Sequence, residues 1–330
     1  MAYLSFFISR ELGKTLEIKK MMAVLLISLF YEVFLASWQL LKQGSLGGLW
    51  WWLGERTFSA NTPFIAQAII HGQLVLRPYA TLPHPNVLSA FLVVNFTWTF
   101  FFLILQKKFQ IVNTFFLFFS AFLTFFGTLF SLSRVSLLVL FGTMIALFGL
   151  KKNARLLLLA PIITGILFFS GWLNILWFRF FSLTETSAQS YQLRWILNQL
   201  AVRLFLDNPL AGVGLNHFLY VVQQRDGLEM GAVRFLQPAH SVYLLIAAET
   251  GVVGLFLLGA LLLAALKKIM AESNFEIKTV KMLLLGQLLI FGLFDHYLYT
   301  LQQGLLLSAV SLGIIFSNLL LKNNRDVYQS

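Results

Sequence analysis

Apolar runs of about twenty residues, separated by polar intervals of very unequal length, divide the 330-residue chain. A bilayer core is crossed by about 20 apolar residues of helix. On that measure spans are expected near 21–41, 87–105, 111–130, 135–150, 156–176, 241–266, 282–297 and 302–321, those at 135–150 and 282–297 being short. The spans are read as helices, because a helix satisfies its own backbone in lipid, and the expected fold is an all-α polytopic membrane protein of about eight transmembrane helices. Residues 1–20 alternate apolar and basic positions as a surface-lying amphipathic helix does, and no small-residue cleavage site follows them.

Two long intervals, 42–86 and 177–240, interrupt the apolar runs. In the first, Ile65-Ala66-Gln67-Ala68-Ile69-Ile70 is too short to span and is expected to lie in the interface or re-enter. Pro78, Pro83 and Pro85 then forbid a regular helix over Arg77 to Asn86, so this segment reads as one wall of a site. In the second, Leu193, Ile196, Leu197, Leu200 and Leu204 recur at helical spacing, which predicts an amphipathic helix over Tyr191 to Leu206 with Ser190 as a possible cap. Arg194 and Arg203 fall on different flanks of it. The helix is expected to stop before Asn208-Pro209, and Gly212-Val213-Gly214 to turn tightly.

Composition agrees with a single integral membrane domain over residues 1–330: 58% of residues are hydrophobic, 11% are charged and mean hydropathy is +0.80, against roughly 25% charged in soluble domains. No cysteine is present, which excludes disulfides and thiolate chemistry. The net charge of +11 does not point to nucleic acid, because the basic residues come as short clusters between apolar runs. Under the eight-span reading these clusters fall on one side, which puts both termini in the cytoplasm and both long intervals outside.

A second asymmetry goes beyond topology. Of thirteen lysines only Lys42 falls outside, whereas eight of eleven arginines do: Arg56, Arg77, Arg134, Arg179, Arg194, Arg203, Arg225 and Arg234. All five histidines, His71, His84, His217, His240 and His296, fall outside or at outer span ends. A guanidinium fork binds phosphate bidentately and stays charged when partly desolvated, so an outward cavity for a phosphate-bearing, lipid-linked substrate is expected. Anchoring to phospholipid head groups is the plainer alternative for any one arginine. His240 stands where the second interval meets an apolar helix. Glu249 sits nine residues further on, inside a span, where an isolated carboxylate is costly. A structural partnership is its favoured reading, and Asp295 and His296, at the outer end of a span, are supporting candidates of the same kind. No spacing suggests a metal site, and no nucleotide-binding fingerprint appears, so neither a metal nor another cofactor is expected.

Taken in order, Arg77-Pro78-Tyr79-Ala80-Thr81-Leu82-Pro83-His84-Pro85-Asn86, Ser133-Arg134, Arg194-Trp195, Asn208-Pro209-Leu210-Ala211-Gly212-Val213-Gly214, His240-Ser241-Val242-Tyr243-Leu244 and Glu249-Thr250-Gly251 resemble the O-antigen ligase and polymerase family over roughly residues 50 to 310. The resemblance implies a GT-C-like glycosyltransferase of the bacterial inner membrane. Such an enzyme moves a glycan from an undecaprenyl-diphosphate carrier to a hydroxyl of a glycan, lipid or protein acceptor, without a metal and with inversion. Arg134 and Arg194 then match the family's diphosphate arginines and His240 its loop-end histidine. Arg77, His84, Asn86, Arg203 and Tyr243 are expected to contact substrate. His240 is open to two roles, general base towards the acceptor or ligand of the diphosphate, and the plain alternative is a histidine that only caps a helix. The chain departs from the family in having Ser241 where many members carry asparagine, and in its lower span count. A transporter or flippase of the same lipid-linked glycan is the alternative function, but it predicts charges midway through several spans, whereas here only Glu32 and Glu249 lie well inside.

Overall fold

A computed structural model describes residues 18–70, 72–105, 111–150, 185–224, 229–230, 233–234 and 237–317. The expected surface helix over residues 1–20 (all but its last three residues), His71, the expected span at 156–176 and the start of the second long interval lie outside the described residues. So do Arg179 and Arg225.

Eleven helices and two short hairpins are described. In order they are α1 (Ile18–Lys42), α2 (Leu49–Trp52), β1 (Gln67–Ile70), β2 (Gln73–Leu76), α3 (Pro85–Ile104), α4 (Ile111–Ser131), α5 (Arg134–Phe148), α6 (Glu185–Asp207), α7 (Phe218–Gln223), β3 (Glu229–Met230), β4 (Val233–Arg234), α8 (Val242–Met270), α9 (Phe275–Phe294), α10 (Tyr297–Thr300) and α11 (Gln302–Phe316). Four helices are long and apolar enough to cross a bilayer: Lys20–Lys42 within α1, α3, α8 and α9. Phe115–Ser131 of α4, α5 and α11 are apolar but shorter. The protein is thus a predominantly helical, multi-pass membrane protein.

Several expectations are corrected. Of Ile65 to Ile70, the part Gln67–Ile70 is a strand that pairs antiparallel with Gln73–Leu76. Two short runs flanking a glycine turn form a hairpin more readily than a helix of that length. α9 begins at Phe275, seven residues before the apolar run does, since Glu276, Lys278 and Lys281 continue a helix without difficulty. Ser190 does not cap α6, which already starts at Glu185.

The chain forms two compact units. The first comprises residues 1–182, 272–287 and 309–330, and the second residues 183–271 and 288–308. In the first, α3 packs against α1, α4 and α5, with nearly all of its residues buried, as expected of a helix apolar on every face. Small and polar residues let the helices approach closely. A Cβ on Gly127 of α4 would lie 2.7 Å from Val33 and 2.5 Å from Leu92. Asn95 donates to Ser28 at 2.9 Å and Gln287 to Thr97 and Thr143 at 2.7 and 2.9 Å, the interhelical bonds that serve as glue where water is excluded.

The interval at 42–86 is held by buried carboxylates and amides rather than by an apolar core alone. Glu55 accepts from Gln39 and from the backbone N–H groups of Leu46 and Gly47. Gln39 accepts from Tyr79 and Ala80, and Glu32 from the backbone and hydroxyl of Thr81. The proline-rich segment therefore keeps an irregular backbone whose polar groups are satisfied, the condition for such backbone at membrane depth.

In the second unit, Leu197, Leu200, Ala201 and Leu204 of α6 pack with Phe218, Val222, Ala239, Leu245 and Ala248. The expected stripe is thus partly shifted, since Ile196 is exposed and Ala201 takes its place inside. α8 is broken at Gly251, whose φ of 64° and ψ of −154° lie in a region that is essentially restricted to glycine. The loop 208–214 fills the break backbone to backbone. Val213 and Gly214 donate to the freed carbonyls of Ala248 and Glu249, both at 2.9 Å, and Val252 and Val253 donate to Pro209 and Leu210 at 2.8 and 3.5 Å. Gly212 and Gly214 take positive φ, as the tight turn requires.

Candidate functional site

Of the sequence-derived candidates, Arg77, His84, Asn86 and Arg134 lie in the first unit. Arg194, Arg203, His240, Tyr243, Glu249 and Asp295 lie in the second.

In the first unit the proline-rich wall ends where helix becomes possible. Pro85 occupies the first turn of α3, where its missing N–H is harmless, and His84 is the N-cap, its Nδ1 accepting from the backbone N–H of Asn86 at 3.1 Å. Arg77, 7% exposed, donates through Nε to the carbonyl of Ser131 and through Nη2 to Asn86 Oδ1, both at 2.8 Å. It thereby ties the wall to the α4–α5 turn. That turn runs through Leu132 at φ 53° and presents Arg134 as the first residue of α5, with Nε and Nη2 buried.

In the second unit Ser241, with extended backbone, is the N-cap of α8, and its hydroxyl makes no capping bond. His240 is therefore not a capping residue, and its ring turns to other partners. Nε2 lies 3.2 Å from Gln237 Oε1, and Nδ1 lies 3.6 Å from Asp295 Oδ1. The His296 ring is tilted 58° to it with centroids 5.4 Å apart, and His296 Nε2 is 3.8 Å from the same Asp295 oxygen. Burial holds the His296 imidazole below the ordinary histidine range, to about 4. The Asp295 carboxylate opposes this, and the charge of Arg194 pushes the same way as burial. His296 is thus neutral at physiological pH, and Arg194 is near enough for its charge to act on this cluster. Asn198, one turn beyond Arg194, has a buried Oδ1 with no hydrogen-bond partner.

The remaining candidates are engaged elsewhere. Tyr243 donates its hydroxyl to the carbonyl of Leu289 at 2.9 Å, and Arg203 is exposed on α6. Glu249, 4% exposed, accepts from the backbone N–H of Phe218 at 3.3 Å and the hydroxyl of Tyr299 at 3.0 Å. It clamps α7 and α10 to α8 beside the break. Burial and the adjacent carboxylate push the Tyr299 hydroxyl up in pKa, which keeps it a donor.

Sequence reasoning set Asp295 and His296 together at one span end but did not join them to His240, because α8 and α9 intervene. It gave Gln237 and Asn198 no role in the site. The signal available for Gln237 was its place in the segment that ends at His240, and for Asn198 its helical spacing from Arg194.

No curated protein matches the chain. Residues 119–259 match the sequence profile of the family described as O-antigen ligase, a stretch that contains Arg134, Arg194, Asn198, His240 and Glu249 but neither the Arg77–Asn86 wall nor Asp295 and His296. Over that stretch, which is less than half of its length, this multi-pass membrane protein is similar to the O-antigen ligase family.

Proposed function

We propose that the protein is a metal-independent, inverting glycosyltransferase that moves a glycan from an undecaprenyl-diphosphate carrier to an acceptor hydroxyl. The observation that carries this reading is a family match running through Arg134, Arg194 and His240. In such a transfer the diphosphate leaves as the anomeric bond breaks, and negative charge grows on its oxygens. Fixed cations aimed at that charge favour the transition state over the ground state, by ~2.7–4 kcal/mol per donor in comparable sites. Arg134 and Arg194 take this role, with Arg77 holding the turn that carries Arg134. His84 and Asn86 on the wall, Arg203 in the second long interval and Tyr243 in the first turn of α8 are assigned to substrate contacts. His240 serves the acceptor hydroxyl as general base or the diphosphate as a ligand, with Asp295 beside its Nδ1. Glu249 acts from behind, by fixing the helix start on which His240 sits.

The reading includes a GT-C-like arrangement of about eight spans in a bacterial inner membrane, with both termini cytoplasmic and the intervals 42–86 and 177–240 outside. Cysteines placed at the exposed positions Gln73 and Gln223 are expected to react with an impermeant thiol reagent in cells whose outer membrane is permeabilised. A cysteine at the exposed Ser273 is expected to stay protected. Labelling of Ser273 with protection of Gln223 overturns the orientation.

The direct test of function is incubation of the purified protein with an undecaprenyl-diphosphate oligosaccharide and candidate acceptors, reading carrier release and product size. One transferred block indicates a ligase and a ladder a polymerase, while carrier that is never released refutes the assignment. In the same assay Arg134→Lys and Arg194→Lys, which keep the charge but lose the planar fork, are expected to lower transfer by ~10-fold or more. Near-parental rates in both variants show that the arginines only anchor head groups.

A further inference from the structure

We infer that His240 Nδ1, Asp295 Oδ1 and His296 Nε2 form a binding site for a borderline divalent metal ion of the zinc class. The Thr300 hydroxyl lies 2.7 Å from His296 Nδ1 and 3.2 Å from the carbonyl of His296. When its single proton goes to the carbonyl, Nδ1 is the donor to Thr300 and the bare lone pair of Nε2 points at Asp295, and this is the tautomer that presents Nε2 to a metal. On the other ring, Gln237 Oε1 is an acceptor only, so His240 donates from Nε2. Its Nδ1 is buried with no hydrogen-bond partner, 3.6 Å from the same Asp295 oxygen. Two imidazole lone pairs and a carboxylate oxygen, which also accepts from the backbone N–H of His296 at 2.8 Å, thus converge on one point.

All three atoms lie within 4.8 Å of one another. A tetrahedral ion bonded at 2.0–2.1 Å sets its ligands about 3.3 Å apart, so binding one draws in the 3.6 and 3.8 Å contacts to Asp295 and a nitrogen–nitrogen separation of at most 4.8 Å. Both outer N–H groups are already committed to oxygens, the arrangement that fixes the tautomer and basicity of metal-bound histidines. Two nitrogens and one carboxylate oxygen suit zinc, or cobalt as its probe, better than magnesium or calcium, which prefer all-oxygen shells. Three protein ligands leave one coordination position open. The site uses the side chain assigned above to transfer, so an ion bound there is inhibitory if that assignment holds. This last step alone rests on the proposed function.

The test uses full-length protein in lipid nanodiscs, stripped with a chelator and titrated with Co²⁺ alone. One equivalent is expected to bind with the intense visible bands of a four- or five-coordinate ion, and Zn²⁺ is expected to displace it. Asp295→Asn and His296→Gln are expected to weaken binding at least 10-fold. Absorption at the zinc edge of the parent protein, which needs no variant to fold, is expected to show two imidazoles per ion. Absence of a saturable first equivalent, a shell without imidazole, or parental affinity in both variants when they remain folded overturns the site; a second proton on His240 then fills the gap. The two readings fail separately. Metal bound to a protein that transfers no glycan leaves the site standing and removes the inhibition, whereas transfer that proceeds unchanged beside an absent metal signal removes only the site.

Discussion

Replacing His240 with alanine is expected to lower glycan transfer by ~10²-fold or more, the range lost when a general base is removed. The structure sharpens what else should change. In the resting protein Nε2 donates to Gln237 and Nδ1 faces Asp295, so a general base must first move its proton from Nε2 to Nδ1 before Nε2 can leave Gln237 and take the proton of the acceptor hydroxyl. In that case His240→Ala leaves donor affinity nearly intact and lowers the single-turnover rate. A diphosphate ligand helps to hold the donor as well, so His240→Ala then weakens donor binding too, and His240→Arg restores part of it with a permanent cation. Measuring donor affinity and single-turnover rate for both variants decides between the roles. Parental values of both in a folded His240→Ala protein would remove the residue from the chemistry.

The second large effect is structural. Gly251→Ala would place a Cβ 2.4 Å from the carbonyl oxygen of Leu210 and 2.6 Å from that of Pro209, at a φ of +64°. Gly212→Ala would place one 2.3 Å from the carbonyl carbon of Glu249. In neither case is the obstacle a side chain that can swing away. Relief requires separating loop 208–214 from the break, which orphans four backbone bonds at ~1–3 kcal/mol for each buried group left unpaired. Both variants are expected to be recovered poorly from membranes and to unfold far below the parent in a thermal denaturation series in detergent. Gly259→Ala is the control within the same helix. A Cβ there meets nothing within 4 Å, and alanine favours a helix over glycine by about 1 kcal/mol, so parental or slightly raised stability is expected. If Gly251→Ala behaves like Gly259→Ala, the interlock does not hold the helix.

The sequence showed the apolar helices and the end of α6 at Asn208-Pro209, because each of these is set by residues close together in the chain; it put the start of α3 too late, since Pro85 counts against helix up to Asn86 although a first turn accepts proline. Helix limits drifted where charged residues continued a helix past its apolar part, as at Glu276 to Lys281. The break in α8 was hidden because Gly251 in an apolar run looks like any tolerated glycine, and what makes it special is a loop that precedes it by some forty residues. The meeting of His240 with Asp295 and His296 was hidden for the same reason. Each residue could be marked as unusual at a membrane surface, but two whole helices separate them and no local period relates their positions. Glu249 was expected to be partnered on energetic grounds alone, while the partners, Phe218 and Tyr299, come from opposite sides of it in the chain.

The burial of α3 on every side, set against the exposed Val252, Val253, Phe256, Leu257 and Leu263 of α8, bears on how freely this sequence can drift. A side chain that meets lipid is matched by any apolar group of roughly its length, since acyl chains rearrange around it. One enclosed by neighbouring helices must keep its shape, because close-packed interiors register the gain or loss of a single methylene. A saturating library of apolar substitutions should therefore return most changes in the second half of α8 as silent. Changes of size along Val87 to Leu103 should be depleted, even though both helices are built from the same few residue types.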